Sequence, residues 1–368
     1  MKLAGLEGLR GIMCIWVVLS HTITVAALPI YKNEGIGRLL ANGTFAVDVF
    51  IMLSGFVVAL LITKKQETYF KYISRRAFRL FPVYLVCLIL SILSLKLSVD
   101  FLNNAIFQHP KFLNRLQIFS DTDDNLLLHS ILHFLLAHGL VTSDFLPNTA
   151  YSIMGQAWSL TLEWQFYLIA PLLLWLVNSK KYISFSLVII FLLAFQPYFK
   201  DIFDHRSFIL ANIALFLVGI ISFKFFEKLK SGKDSVKKFF MKLGSMLCIF
   251  AFYQYYHFGI LAIIPLLIWF LSLTSEITSS KNFLLKITKA INNAKFTLFL
   301  GKISYSIYCF HMISLYCFAW LFTAVFPILN HVLFSCLIIV LPFSATVFAS
   351  SLLNRYVEQP FINLGRKI

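Results

Sequence analysis

Residues 44–63 read Thr44-Phe45-Ala46-Val47-Asp48-Val49-Phe50-Ile51-Met52-Leu53-Ser54-Gly55-Phe56-Val57-Val58-Ala59-Leu60-Leu61-Ile62-Thr63 and run directly into Lys64-Lys65. A helix climbing about 1.5 Å per residue needs about 20 apolar residues to cross a hydrocarbon layer of about 30 Å. This stretch has that length, a single carboxylate and a basic end. A soluble core has no use for so long an apolar run; lipid does. The rest of the chain repeats the pattern, with apolar stretches over 8–28, 78–97, 158–177, 182–199, 208–224, 239–256, 258–275, 303–325 and 331–353. Composition agrees. Of 368 residues, 59% are hydrophobic and 13% charged, against about 45–50% and 25% in soluble domains. The expected fold is an all-α, polytopic membrane helix bundle of about ten transmembrane helices.

The net charge of +16 would suit a nucleic-acid partner if it formed one patch. Instead the lysines and arginines fall in short runs between apolar stretches, the distribution that a positive-inside bias produces. The two heaviest runs, 64–79 and 224–242, land on one face when the spans are threaded alternately. That threading makes both termini cytoplasmic and predicts no nucleic-acid partner. The N-terminus is read as a retained first helix rather than a cleaved signal, because Arg10 and His21 interrupt its apolar run. The one long hydrophilic stretch, 98–157, is expected on the outer face, with Leu126–Val141 lying flat or dipping inward. Residues 1–368 then make a single membrane domain. The six cysteines all sit in apolar stretches with no C-x-x-C pair, reading as small hydrophobes rather than a disulfide or zinc framework. His129 and His133 share a helical face but have no third ligand of convincing spacing, so no metal is expected.

Ionisable residues inside spans are costly, at about 2.5–3.5 kcal/mol each on insertion scales, and are functional candidates for that reason. Arg10 and His21 lie eleven residues apart on the first span. At about 100° per residue they come within roughly 20° of one face, separated along the axis by about 16 Å. Asp48 and Glu163 lie near the starts of their helices, where the macrodipole favours a carboxylate. Glu163 sits within Trp158-Ser159-Leu160-Thr161-Leu162-Glu163-Trp164-Gln165-Phe166-Tyr167. On the opposite side, Arg76 and Arg79 are an i, i+3 pair whose guanidinium forks match phosphate oxygens. His311 follows Ser304-Tyr305-Ser306-Ile307-Tyr308, and hydrogen bonding to a neighbouring Ser or Tyr is its ordinary explanation.

Taken in order, these segments resemble the acyltransferase 3 family. The carriers are Leu6-Glu7-Gly8-Leu9-Arg10-Gly11 with His21, Phe45 to Phe56, Arg76-Ala77-Phe78-Arg79-Leu80-Phe81-Pro82, Trp158 to Tyr167, Leu300 to His311, and Glu358-Gln359-Pro360. Glu7 and Ala46 stand where aspartate and glycine are commoner. The resemblance implies a bacterial inner-membrane, multi-pass O-acyltransferase without the soluble extra domain of some relatives. It would move an acyl group, most often acetyl, from cytoplasmic acyl-CoA to a hydroxyl of a cell-envelope polysaccharide or lipid-linked sugar. On that reading Arg10, Arg76 and Arg79 hold the CoA phosphates, and the thioester arm threads outward to His21. His21 acts as general base, with Glu163 or Asp48 orienting it; a covalent acyl-histidine stays open. The rival reading is a secondary transporter of a small anionic solute, which would call for inverted repeats and broken helices; neither is visible in the sequence.

Overall fold

The computed structural model describes residues 3–32, 35–65, 67–178, 194–196, 198–199, 201–203, 205–278 and 282–368. Its helices run α1 (Ala4–Val25), α2 (Ile36–Leu40), α3 (Thr44–Lys64), α4 (Tyr69–Leu93), α5 (Leu95–Asn104), α6 (Lys111–Asp124), α7 (Leu126–Phe134), α8 (Trp158–Asn178), α9 (Ile213–Lys230), α10 (Val236–Phe258), α11 (Ile264–Ile277), α12 (Phe283–Asn292), α13 (Lys295–Val325), α14 (His331–Leu353) and α15 (Gln359–Lys367). Among the described residues there is no strand, and the all-α membrane bundle stands.

Eight helical stretches among the described residues are long and apolar enough to cross a membrane. They account for eight of the ten expected spans. The ninth, 182–199, falls largely outside the described residues. The tenth, 239–256, does form a helix, α10, of spanning length at 23 residues. Lys242, Gln254 and the Tyr255-Tyr256 pair dilute its apolar character. The stretch Leu126–Val141 contains the nine-residue α7 and a single 3-10 turn, His138–Leu140, far short of a span. Its polarity is inverted: Leu127, Ile131 and Phe134 are exposed while His129 and His133 are fully buried. A helix with its apolar face outward fits an interfacial setting. Inside, His133 is held by the Tyr84 hydroxyl at 3.2 Å and Ser152 Oγ at 2.8 Å, and it stacks on His138.

Two glycine pairs set the helix spacing around the centre. Between membrane helices small residues let backbones touch, and dispersion then does the work of association. Gly11 of α1 lies against Gly301 of α13, and Gly55 of α3 against Gly219 of α9; a Cβ at any of the four would overlap backbone across the crossing. The first contact places Arg10 and His21 beside Tyr308 and His311; the second packs α3, which carries Asp48 and Ser54, against α9. Replacing Gly301 by Val should therefore lower stability by about 1–3 kcal/mol, read as a fall in the unfolding midpoint of purified protein. An unchanged midpoint would show that the α1–α13 crossing can open without cost.

Candidate active site

Four of the six expected site residues meet in one cavity. It has a volume of about 390 Å³ and is lined by Arg10 from α1, Arg76 and Arg79 from α4, and Glu163 from α8, with Arg75, Lys65 and Arg366 adding further positive charge. Six cations face one carboxylate, so the cavity suits a polyanion. Arg76 lies over the Tyr167 ring at 5.6 Å, with its buried Nε unpartnered in the structure. Arg10 makes no ion pair among the described residues.

Arg79 has a counter-charge within the protein. Its Nη1 donates to Glu358 Oε1 at 2.7 Å, and the Glu358 side chain is wholly buried. Ser306 Oγ and Asn354 Nδ2 donate to the other oxygen, each at 2.9 Å. Glu358 ends a single π turn, Asn354–Glu358. Such turns offset the helix register and recur at functional sites. Here the turn leads into α15, whose Gln359, Ile362 and Arg366 line the arginine cavity.

His21 faces a second cavity, of about 440 Å³. The carboxylate expected at its ring is elsewhere, which corrects the orienting role given to Glu163 and Asp48. Glu163 accepts from Ser54 Oγ at 3.3 Å and from the Tyr167 hydroxyl, on the arginine side. Asp48 pairs with Arg206 Nη2 at 2.6 Å. Arg206 in turn reaches Asn212 Oδ1 at 2.9 Å and lies over Trp158. The physical reason is demand: a buried carboxylate takes the cation within reach, and the segment carrying Arg206 is pinned beside it. Gln165 does the pinning, donating to the Ser207 carbonyl at 2.9 Å and accepting from the Ile209 N–H at 3.0 Å.

What stands at His21 is His311. The two ring centroids are 5.3 Å apart. The Nδ1 of His311 contacts the carbonyls of Ile307 and Tyr308 at 3.1 and 2.9 Å. Carbonyls only accept, so Nδ1 carries the proton and Nε2 is the bare nitrogen. That Nε2 is buried and has no hydrogen-bond partner in the structure.

The two cavities share a wall made by Val47 and Tyr308. The Tyr308 hydroxyl donates to the Gln156 carbonyl at 2.9 Å and meets Ser159 Oγ at 2.7 Å, and its ring packs on Phe50. Sequence reasoning quoted Tyr308 inside a motif but gave it no role, since nothing in one dimension shows that a residue divides two chambers. It also missed Arg206 and the Glu358–Arg79 pairing. The lone arginine between two apolar stretches was the available signal for Arg206.

A family profile described as an acyltransferase domain, that of acyltransferase 3, matches residues 3–352. A curated protein of Haemophilus influenzae, described as an uncharacterized protein, is 30% identical over 138 residues, which make 36% of this chain and 50% of the relative. The chain thus spans about half the length of the curated relative it matches. No solved structure matches it. With the profile laid over almost every helix that builds the two cavities, this multi-pass membrane protein belongs to the acyltransferase 3 family.

Proposed function

We propose that the chain transfers an acyl group, acetyl in the simplest case, from acyl-CoA to a hydroxyl of a cell-envelope polysaccharide or lipid-linked sugar. The observation that carries this reading is the pairing of chambers: an arginine-lined cavity and a histidine cavity back onto one another across Tyr308. The arginine cavity faces the cytoplasm of a bacterial inner membrane, and Arg10, Arg76 and Arg79 bind the phosphates of acyl-CoA there. The histidine cavity receives the sugar. The thioester arm passes Tyr308 to present its carbonyl carbon to the acceptor.

His21 then takes the proton of the acceptor hydroxyl as that oxygen attacks the thioester carbon. The new C–O bond forms, the C–S bond breaks, and the departing thiolate collects the proton, giving ester and free CoA thiol. General base catalysis of this kind contributes about 10²–10⁴-fold. On this reading the rings of His21 and His311 approach during the reaction, and the bare Nε2 of His311 accepts the His21 N–H, fixing one tautomer. Glu163 stays on the donor side, where it and Ser54 border the route of the arm.

The test uses purified protein in sealed vesicles with labelled acetyl-CoA on one side and extracted envelope glycan on the other. Label should appear as alkali-labile ester on the glycan, with free CoA thiol released in equal amount. Solute uptake without thioester cleavage would replace this reading by the transporter.

A further inference from the structure

The histidine cavity is positive, and no carboxylate in its lining offsets that charge. Its lining includes Lys111 and Arg115 together with His21, and no lining residue is an aspartate or glutamate. Hydroxyl and amide groups from Ser20, Asn42, Asn114 and Gln156 make up much of the remaining polar wall. Arg115 is a cation with neutral partners. Its Nη1 donates to the Tyr151 carbonyl, its Nη2 donates to the Ser152 carbonyl at 3.1 Å, and its guanidinium lies 4.1 Å above the Phe119 ring. Its Nε is buried with no hydrogen-bond partner in the structure. Burial pulls its guanidinium below the ordinary arginine value. Lys111 makes no ion pair among the described residues.

Helix α6 is also charged against its own dipole. Lys111 is its first residue and Asp123 and Asp124 its last, whereas a helix favours acids at its start and bases at its end. One turn after Lys111, Arg115 falls on the same face. The arrangement works against the helix and in favour of an anion in the cavity that Lys111 and Arg115 both line; the first-turn N–H groups of Lys111 and Phe112 are already taken by His109 Nδ1 and its carbonyl.

We infer that the acceptor carries an anionic oxygen group, a sugar carboxylate or a sugar phosphate, held by Lys111 and Arg115 while the hydroxyl to be acylated lies at His21. This rests on the proposed function in taking the histidine cavity as the acceptor side. A neutral sugar would leave two cations without a counter-charge, and charge-assisted bonds to carboxylate or phosphate are about twice as strong as neutral ones.

Binding to the full chain in phosphatidylcholine nanodiscs tests it, with methyl glucuronide, glucose 1-phosphate and methyl glucoside as probes. Both anionic probes should bind at least about tenfold more tightly than the neutral glycoside. If only one does, it identifies whether the carboxylate or the phosphate is the natural handle. The preference should collapse in Lys111→Gln and in Arg115→Gln, return in Lys111→Arg, and persist in Lys96→Gln, an exposed charge outside both cavities. Equal binding of all three probes overturns the inference. So does an anionic preference that survives Lys111→Gln and Arg115→Gln but disappears in Arg76→Gln, which would place recognition in the other cavity. The two readings fail separately: acetyl transfer without charge preference removes only the anion site, and charge preference without acetyl-CoA turnover removes only the transferase.

Discussion

Replacing His21 by Ala should cut acyl transfer by about 10²–10⁴-fold, the contribution of a positioned general base, while leaving the protein folded and able to bind acyl-CoA. His21 lines a cavity, and its ring contact is with His311, so its truncation chiefly enlarges space that is already open. The three arginines proposed for the donor lie in the neighbouring cavity and are untouched. The measurement is ester formation from labelled acetyl-CoA, beside acetyl-CoA binding and the unfolding midpoint. A variant that transfers at the normal rate removes His21 from the chemistry. His311→Gln makes the useful comparison. It keeps polar groups near the same place but cannot reproduce a bare nitrogen fixed by two carbonyls. It should lower the maximal rate while leaving the KM for acyl-CoA near its original value.

Replacing Glu358 by Ala should cost about 3–5 kcal/mol of stability, the usual penalty for removing one partner of a buried ion pair. The carboxylate is wholly enclosed. Losing it strands Arg79, Ser306 and Asn354 at once. Loss of monodisperse protein after extraction, or a midpoint lowered by many degrees, is the expected readout. The double variant Arg79→Leu with Glu358→Leu should recover part of that loss, because an apolar pair of similar volume needs no counter-charge. A double variant worse than Glu358→Ala alone would mean that Arg79 supports the fold through contacts other than the carboxylate.

The membrane bundle was legible because lipid enforces a rule that can be read residue by residue: about 20 apolar positions, then charge. The gathering of Arg10, Arg76 and Arg79 was legible for a related reason, since charged residues at matching depths of neighbouring spans have few places to go. Pairings were not. Asp48 finds Arg206 158 positions away, and Arg79 finds Glu358 279 positions away. Neither choice is written in local spacing; each depends on which helices the glycine crossings bring together. Glu163 illustrates the same limit. Its place near the start of a span suited an orienting role at His21, yet the way α8 faces turned it to the other chamber, where Ser54 and Tyr167 claim one of its oxygens.

The tyrosine wall has an electrical consequence. Voltage across a membrane falls where water is absent, so two wet vestibules separated by the wall of Tyr308 and Val47 would compress the field into the thickness of that wall. A unit charge driven across it would exchange about 2.3 kcal/mol per 100 mV. Under the proposed reaction nothing charged makes the passage: the phosphates stay with the arginines, the acyl group crosses one way, and the acceptor's proton returns bonded to the sulfur of a neutral CoA thiol. Turnover should then be indifferent to membrane energisation, and the barrier can remain closed to free protons while letting a carbon–oxygen bond form beyond it.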